Sequence, residues 1–208
     1  MKHTFSENNE VSIKGMIEET LEFSHAVKQE RFYKTKVSTI RNSGKKDFIP
    51  VIISEVFTKG ITKGEYVEIS GELRSFNWID QEEKRHLKIF LFVKGISAIR
   101  ECGVNKNFIQ IKGFICKEPN FRETPLGRYI SDLLVAVNRL YGKSDYLPCI
   151  VWGRNAIRTS DWKVGDEVII QGRIQSRRYF KRFFPDSEDG EWREVYEISA
   201  SCIINTSI

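Results

Sequence analysis

The chain is poor in the residue patterns that hold metals or disulfide frameworks. It has four cysteines in 208 residues, Cys102, Cys116, Cys149 and Cys202. None forms a C-x-x-C pair, and no spacing matches a zinc pattern. The three histidines, His3, His25 and His86, are scattered through the first half. Neither a structural metal nor a cofactor is therefore expected. Cys116, Cys149 and Cys202 fall in apolar strand patterns and read as small core residues. No apolar run approaches the roughly 20 residues of a membrane helix. Unpaired thiols and the lack of a recognisable leader place the expected site of action in the cytoplasm. Catalytic signatures are missing too: there is no Walker loop, no G-x-S-x-G, no H-E-x-x-H and no His/Cys dyad at a known spacing. Carboxylate pairs such as Glu18-Glu19 and Glu82-Glu83 read as solvated charge. The expectation is a chain that is not an enzyme.

What the chain does have is an internal duplication. Asn9-Glu-Val-Ser-Ile-Lys-Gly15 returns as Asn107-Phe-Ile-Gln-Ile-Lys-Gly113, 98 residues later. The same offset pairs Arg41 with Arg139, Gly44 with Gly142, Lys45 with Lys143, Asp47 with Asp145 and Pro50 with Pro148. Gly64, Gly71 and Ser75 then pair with Gly165, Gly172 and Ser176 at an offset of 101. A period this long fits two complete domains rather than a solenoid. The expected boundaries are 9–99 and 107–204, joined by a short linker near Arg100–Lys106, so the two halves should pack or pair closely.

Each repeat reads as five strands and a short helix. The expected strands are near 10–20, 31–41, 47–54, 65–76 and 87–95, then near 108–118, 128–139, 145–152, 166–179 and 192–203. Alternation is clearest in the fourth strand of repeat 2, where Val168, Ile170, Gly172 and Ile174 face one way and Ile169, Gln171, Arg173, Gln175 and Arg177 the other. Short strands with Gly-rich turns imply an all-β chain of small barrels. The stretch Leu133–Ala156 is the most informative. Two strands flank the basic turn Leu140-Tyr141-Gly142-Lys143-Ser144. Period two puts Tyr146, Pro148, Ile150 and Trp152 on one face of the second strand, a face that serves as core or as a platform for flat ligands.

Here a family resemblance enters. Val135-Ala136-Val137-Asn138-Arg139, Asp145-Tyr146-Leu147-Pro148-Cys149-Ile150-Val151-Trp152-Gly153-Arg154-Asn155-Ala156 and Gly172-Arg173-Ile174-Gln175-Ser176-Arg177-Arg178-Tyr179 resemble, in order and spacing, the bacterial single-stranded DNA-binding (SSB) proteins. Gly113 and Pro119–Arg128 resemble that family's first strand and loop. The match covers about residues 107–204. It implies two tandem OB folds, five-stranded Greek-key barrels each with a short helix between strands 3 and 4, and sequence-independent binding of single-stranded DNA. Replicative members of the family end in a flexible tail with an acidic tip. This chain stops after the last strand, so a tandem variant without that tail is expected. Such a variant would be an accessory to replication, recombination, repair or mobile-element transfer. A primosomal PriB-like scaffold acting through protein contacts, or an RNA-binding OB protein, are the alternatives.

Single-strand binding needs cations along the phosphates and aromatic faces under the bases. By resemblance, Tyr146, Trp152 and Tyr179 occupy the stacking positions. Arg173 and Arg177 share the non-core face of their strand with Tyr179. Arg139, Tyr141 and Lys143 surround the basic turn, and Arg154 follows Trp152. The run Arg177-Arg178-Tyr179-Phe180-Lys181-Arg182-Phe183-Phe184 interleaves cations with aromatics, as a binding flap or a subunit contact would. Arg122 and Arg128 flank the first loop, while Phe121 and Trp162 read as core. Repeat 1 looks degenerate. Phe48 matches Tyr146, and Arg74, Phe76 and Trp78 line the path, but Ser54 stands for Trp152 and Glu72 for Arg173. Net charge barely separates the halves. Arginine does, with 5 before residue 105 and 10 after it, and guanidinium planes both stack and bind phosphate bidentately. Repeat 2 is thus the expected stronger binder. Since the family works with four OB folds, a homodimer is expected, with the strand edges near 9–17 or 107–115 as contacts.

Overall fold

The computed structural model describes residues 8–79, 83, 85–100, 106–140, 142–184 and 187–207. The elements are β1 (Asn9–Ile17), β2 (Glu22–Val27), β3 (Glu30–Ile40), β4 (Lys46–Ser54), a 3-10 turn (Glu55–Phe57), β5 (Tyr66–Ile79), β6 (Arg85–Ala98), β7 (Lys106–Ile115), β8 (Asn120–Glu123), β9 (Tyr129–Asn138), β10 (Ser144–Trp152), α1 (Arg154–Arg158), β11 (Glu167–Arg182) and β12 (Gly190–Asn205). No helix among the described residues is long and apolar enough to cross a membrane.

The fold is all-β, with two tandem OB folds. Within the first half, β1 pairs with both β5 and β3, β3 with β4, β4 with β6 in parallel, and β6 with β5. Five strands thus close on themselves. The second half repeats the circuit through β7, β9, β10, β12 and β11. The full hydrogen-bonded order, β2-β3-β4-β6-β5-β1-β7-β11-β12-β10-β9-β8, reads as a palindrome of equivalent strands. Inward positions alternate along each strand. Ile13, Val37, Ile49, Val51, Ile69 and Leu91 are buried in the first half, and Ile111, Val135, Leu147, Val151, Ile170 and Ile198 in the second. These β-branched and leucine side chains suit a pleated, closed surface. Val168, Ile170, Gly172 and Ile174 are buried as their alternation requires. The closing contact is tight in both halves. A Cβ on Gly15 would run into the Ser38 carbonyl, and one on Gly113 into the Ala136 carbonyl.

Several expectations are revised. β2 and β8 are extra strands hung on β3 and β9. Their side chains are almost all exposed, so no alternation announces them. The helix between strands 3 and 4 is α1 in repeat 2, but repeat 1 has only the 3-10 turn. Trp162 is buried, as expected, whereas Phe121 lies exposed against Tyr129 with ring centroids 5.7 Å apart. Cys149 is buried, Cys116 half-buried and Cys202 exposed.

The largest revision concerns the first strands. β1 and β7 pair with each other, antiparallel, with Val11 opposite Ile109 at the centre and Asn9↔Ile111 mirrored by Ile13↔Asn107. An approximate two-fold axis passes between Val11 and Ile109. The edges offered as homodimer contacts are therefore consumed within the chain.

The same axis relates two polar clusters that lock the halves together. In one, the fully buried Asp145 accepts from Arg139 Nε at 2.6 Å and from Arg139 Nη2. It also accepts from Arg74 Nη1 at 3.2 Å and from the Ser75 amide at 2.5 Å. Ser75 Oγ in turn accepts from the Tyr146 amide at 2.8 Å, and the Ser75 carbonyl accepts from Arg139 Nη2 at 3.0 Å. In the other, Asp47 accepts from Arg41 Nε at 2.6 Å and from the Ser176 amide at 2.9 Å, while Ser176 Oγ accepts from the Phe48 amide at 3.1 Å. The residues of the duplication, Arg41/Arg139, Asp47/Asp145 and Ser75/Ser176, are thus the two sides of one seam.

Candidate nucleic-acid interface

The outward face of β10 carries Tyr146 and Trp152, 39% and 43% exposed. Period two and the pairing to β9 hold them there, since Leu147, Cys149 and Val151 between them are buried. Arg154 follows at the start of α1 and is exposed; Gly153, at φ 60°, makes the turn between them. β11 and β12 extend beyond the barrel as a long hairpin, Tyr179 opposite Arg193 and Phe180 opposite Trp192. The register slips between Gln171 and Gly172, and the extra residue lies on β12, so the alternation of β11 survives. Arg173, Gln175, Arg177 and Tyr179 therefore share one face. The Arg177 guanidinium lies 5.5 Å from the Tyr179 ring centroid, and Arg178, on the other face, lies 5.7 Å from Trp192. Trp192 is 64% exposed and meets Phe180 edge to face at 5.5 Å. Sequence reasoning missed Trp192, because it joins Phe180 only once the hairpin register is known.

The cations differ in how far they are already engaged. Arg128, Lys143, Arg154, Lys181 and Arg182 are exposed, and among the described residues none makes an ion pair. Arg177 is half-exposed and 3.7 Å from Glu197, whose carboxylate also accepts from Gln175 at 2.6 Å. Arg122 is exposed but paired with Asp132. Arg139, Arg74 and Arg173 are otherwise engaged. The first two bind Asp145 at the seam. Arg173 donates to Gln175 Oε1 at 2.9 Å, and its Nε is buried without a partner. Burial, then the nearby Arg41, push its pKa down. These three belong to the packing of the halves more than to an open phosphate track. Tyr141 lies outside the described residues.

On repeat 1, Phe76 is exposed and Phe48 half-buried beside the seam. Trp78 stacks on His86 with centroids 4.7 Å apart, and Lys88 Nζ lies 4.8 Å from its ring centroid. Glu72, which stands for Arg173, does not face an open path. It is buried, paired to Arg74, and 4.0 Å from Lys94.

A groove of about 1070 Å³ lies beside these faces and takes lining from both halves; Glu19, Glu22, Glu194 and Glu197 line it, whereas Tyr146, Trp152 and Tyr179 do not. Pro50 of β4 and Pro148 of β10 both line it, with Phe76 and Lys88 from one hairpin and Arg177 and Tyr196 from the other. The Tyr196 hydroxyl donates to Glu194 at 2.5 Å; burial and that carboxylate raise its pKa. Aromatic faces and detached cations suit an extended, flexible polyanion with flat bases. Among the described residues no group of three His, Cys, Asp or Glu side chains is placed to hold a metal.

Comparison with known proteins agrees with this geometry. Residues 105–204 match the family model described as "Single-strand binding protein family". The chain is 32% identical over 101 residues to a single-stranded DNA-binding protein of Clostridium tetani, covering 45% of this chain and 66% of that one. It is 29% identical over 104 residues to single-stranded DNA-binding protein 2 of Listeria innocua, covering 47% and 62%. The matched stretch thus spans about two thirds or less of these relatives' length. The crystal structure of wild-type single-stranded DNA binding protein from Thermus aquaticus superposes with a TM-score of 0.75 at 18% identity, covering 95% of this chain and 92% of that one. That likeness extends over both barrels.

Proposed function

We propose, from the match of residues 105–204 to the single-strand binding protein family, that the chain binds single-stranded DNA without sequence choice and without catalysis. The observation that carries the reading is the platform of Tyr146 and Trp152, open to solvent beside a basic, aromatic hairpin. Bases stack on Tyr146, Trp152 and Tyr179, while Arg128, Lys143, Arg154, Arg177, Arg178, Lys181 and Arg182 track phosphates. Residues 9–99 and 107–204 are the two binding domains. The chain acts in the cytoplasm, alongside the machinery of replication, recombination or mobile-element transfer. It works as a homodimer, whose contact must lie away from β1 and β7, since those edges are already paired.

The test is titration with oligo-dT while following tryptophan fluorescence. Trp152, Trp78 and Trp192 are all at least partly exposed, so binding should quench them. Absence of quenching at low salt refutes the reading. Light scattering at a mass near 24 kDa across working concentrations refutes the dimer alone.

A further inference from the structure

The two halves serve as controls for each other, because the same barrel is built twice with different side chains. Matching the registers places Phe90 where repeat 2 has Glu197, Phe92 where it has Ser199, Lys94 where it has Ser201, and Phe32 where it has Ile130. The second barrel closes without any of these aromatics, so closing the first does not require them. In repeat 1 they form a ladder. His25 stacks on Phe32 at 4.9 Å with an interplanar angle of 11°, and Phe32 meets Phe92 at 5.6 Å. Lys94 Nζ lies 5.3 Å from the Phe92 centroid. Lys94 is the residue skipped by the ladder, since Ser70 pairs with Gly95 and Gly71 with Val93. The bulge turns its ammonium outward, over the ring.

This ladder walls a second pocket, of about 420 Å³, at the seam. Phe90, Phe92 and His25 line it, with Lys94 and Arg74 from the same repeat and the exposed Leu140 from the other. The size falls in the range of small-molecule sites, about 300–1,000 Å³. Arg74 is neutralised by Glu72 and Asp145. Lys94 is held more loosely, by a 4.0 Å approach to Glu72 and the face of Phe92. A cation over a half-buried ring is held less firmly than in an ion pair, and a phosphate offers it a stronger, charge-assisted partner.

We propose that this pocket is a base-binding subsite, in which one base of single-stranded DNA enters among Phe90, Phe92 and His25 and its phosphate meets Lys94. The proposal rests on the single-strand reading above and adds to it a contact that the matching face of repeat 2 lacks. Repeat 1 then contributes to binding although Ser54 replaces the tryptophan of the platform.

The experiment compares wild type, Phe92→Leu and Lys94→Ala with oligo-dT across a salt series. It also irradiates the wild-type complex with an oligonucleotide carrying 5-iodouracil for thymine and maps the cross-linked peptides. Phe92→Leu keeps an apolar side chain against Phe32, and a thermal melt checks its fold. It should bind about 5- to 150-fold more weakly, the range for one lost stack. Lys94→Ala alters an exposed side chain and should flatten the log–log salt slope by about 0.7. Cross-links should map to Phe90, Phe92 or His25. If the wild-type chain does not bind, the single-strand reading and the subsite fall together. If it binds while both variants match it in affinity and slope and no cross-link maps to the pocket, the subsite alone is overturned. Should Phe92→Leu fail to fold, Lys94→Ala and the cross-link map decide.

Discussion

Replacing Asp145 by alanine should damage the protein more than any single surface change, because its carboxylate is fully buried and gathers four hydrogen bonds. Two guanidiniums, Arg139 and Arg74, both only partly exposed, lose their shared anion, and the Ser75 amide loses its acceptor. Removing one partner of a buried ion pair costs about 3–5 kcal/mol, chiefly because the remaining charge is stranded. Asp47→Ala should cost less. Asp47 holds a single guanidinium, Arg41, besides the Ser176 amide. The double variant Asp145→Ala/Arg139→Ala removes the most dependent stranded charge and should recover part of the loss, a coupling that a double-mutant cycle reads directly. The assay is urea unfolding followed in parallel by tryptophan fluorescence and circular dichroism. Wild type should unfold in one transition, since a paired β1–β7 seam and two polar clusters tie the halves. Asp145→Ala should lower the midpoint and separate the two probes as one half outlasts the other. A variant within about 1 kcal/mol of wild type, or one less affected than Asp47→Ala, would show that the seam cluster does not hold the halves as described.

Trp152→Ala should weaken oligo-dT binding by roughly 1–3 kcal/mol. Trp78→Ala should weaken it less, because His86 and Lys88 already occupy the neighbourhood of its ring; the opposite ranking, with both variants folded, would mean the strand runs chiefly over the repeat 1 hairpin. Arg177→Ala should lower affinity for all sequences alike and flatten the salt slope by about 0.7, whereas Tyr179→Ala should lower affinity at an unchanged slope. An unaltered slope for Arg177→Ala would take that side chain off the phosphate path. Alkylation followed by peptide mapping should, among Cys116, Cys149 and Cys202, modify Cys202 first and leave Cys149 unmodified until the protein unfolds, since Cys202 is exposed and burial raises the Cys149 pKa; early labelling of Cys149 would indicate local opening of β10.

Much of the fold is legible in the sequence because duplication is a one-dimensional signal. The offsets of 98 and 101 align four of the five barrel strands of one half with those of the other, and only the hairpin register shows that β6 matches β12. β2 and β8 escape, because exposed strands of mixed polarity carry no alternation. The platform is legible too, since Tyr146 and Trp152 alternate with buried Leu147, Cys149 and Val151. The polar residues are harder. A repeated arginine reads alike whether it faces a ligand or the other half of its own chain. Arg139 and Arg74 have the look of phosphate contacts; Arg139 meets Asp145 across the turn of its own hairpin, and only the antiparallel docking of β1 on β7 brings Arg74 to the same carboxylate. Phe32 and Phe92 pass unremarked for the converse reason: each sits in an apolar strand, and only the pairing of His25 with Phe32 and the contact of Phe32 with Phe92 show that the buried Phe32 backs the pocket wall made by the other two.

The β1–β7 seam joins surfaces that a symmetric homodimer would supply from two identical chains. In such a dimer every substitution at the contact occurs twice, once on each side of the axis, so a change must suit both copies at once. Covalent fusion removes that constraint. Each side of this seam can vary alone, with its counterpart left intact as a working template for the barrel. Asp47 and Asp145 are alike, while Glu72 and Arg173, or Phe92 and Ser199, have parted. Linking two halves into one polypeptide has therefore made room for division of labour, the matched pairs holding the shape while the unmatched ones are free to acquire separate tasks.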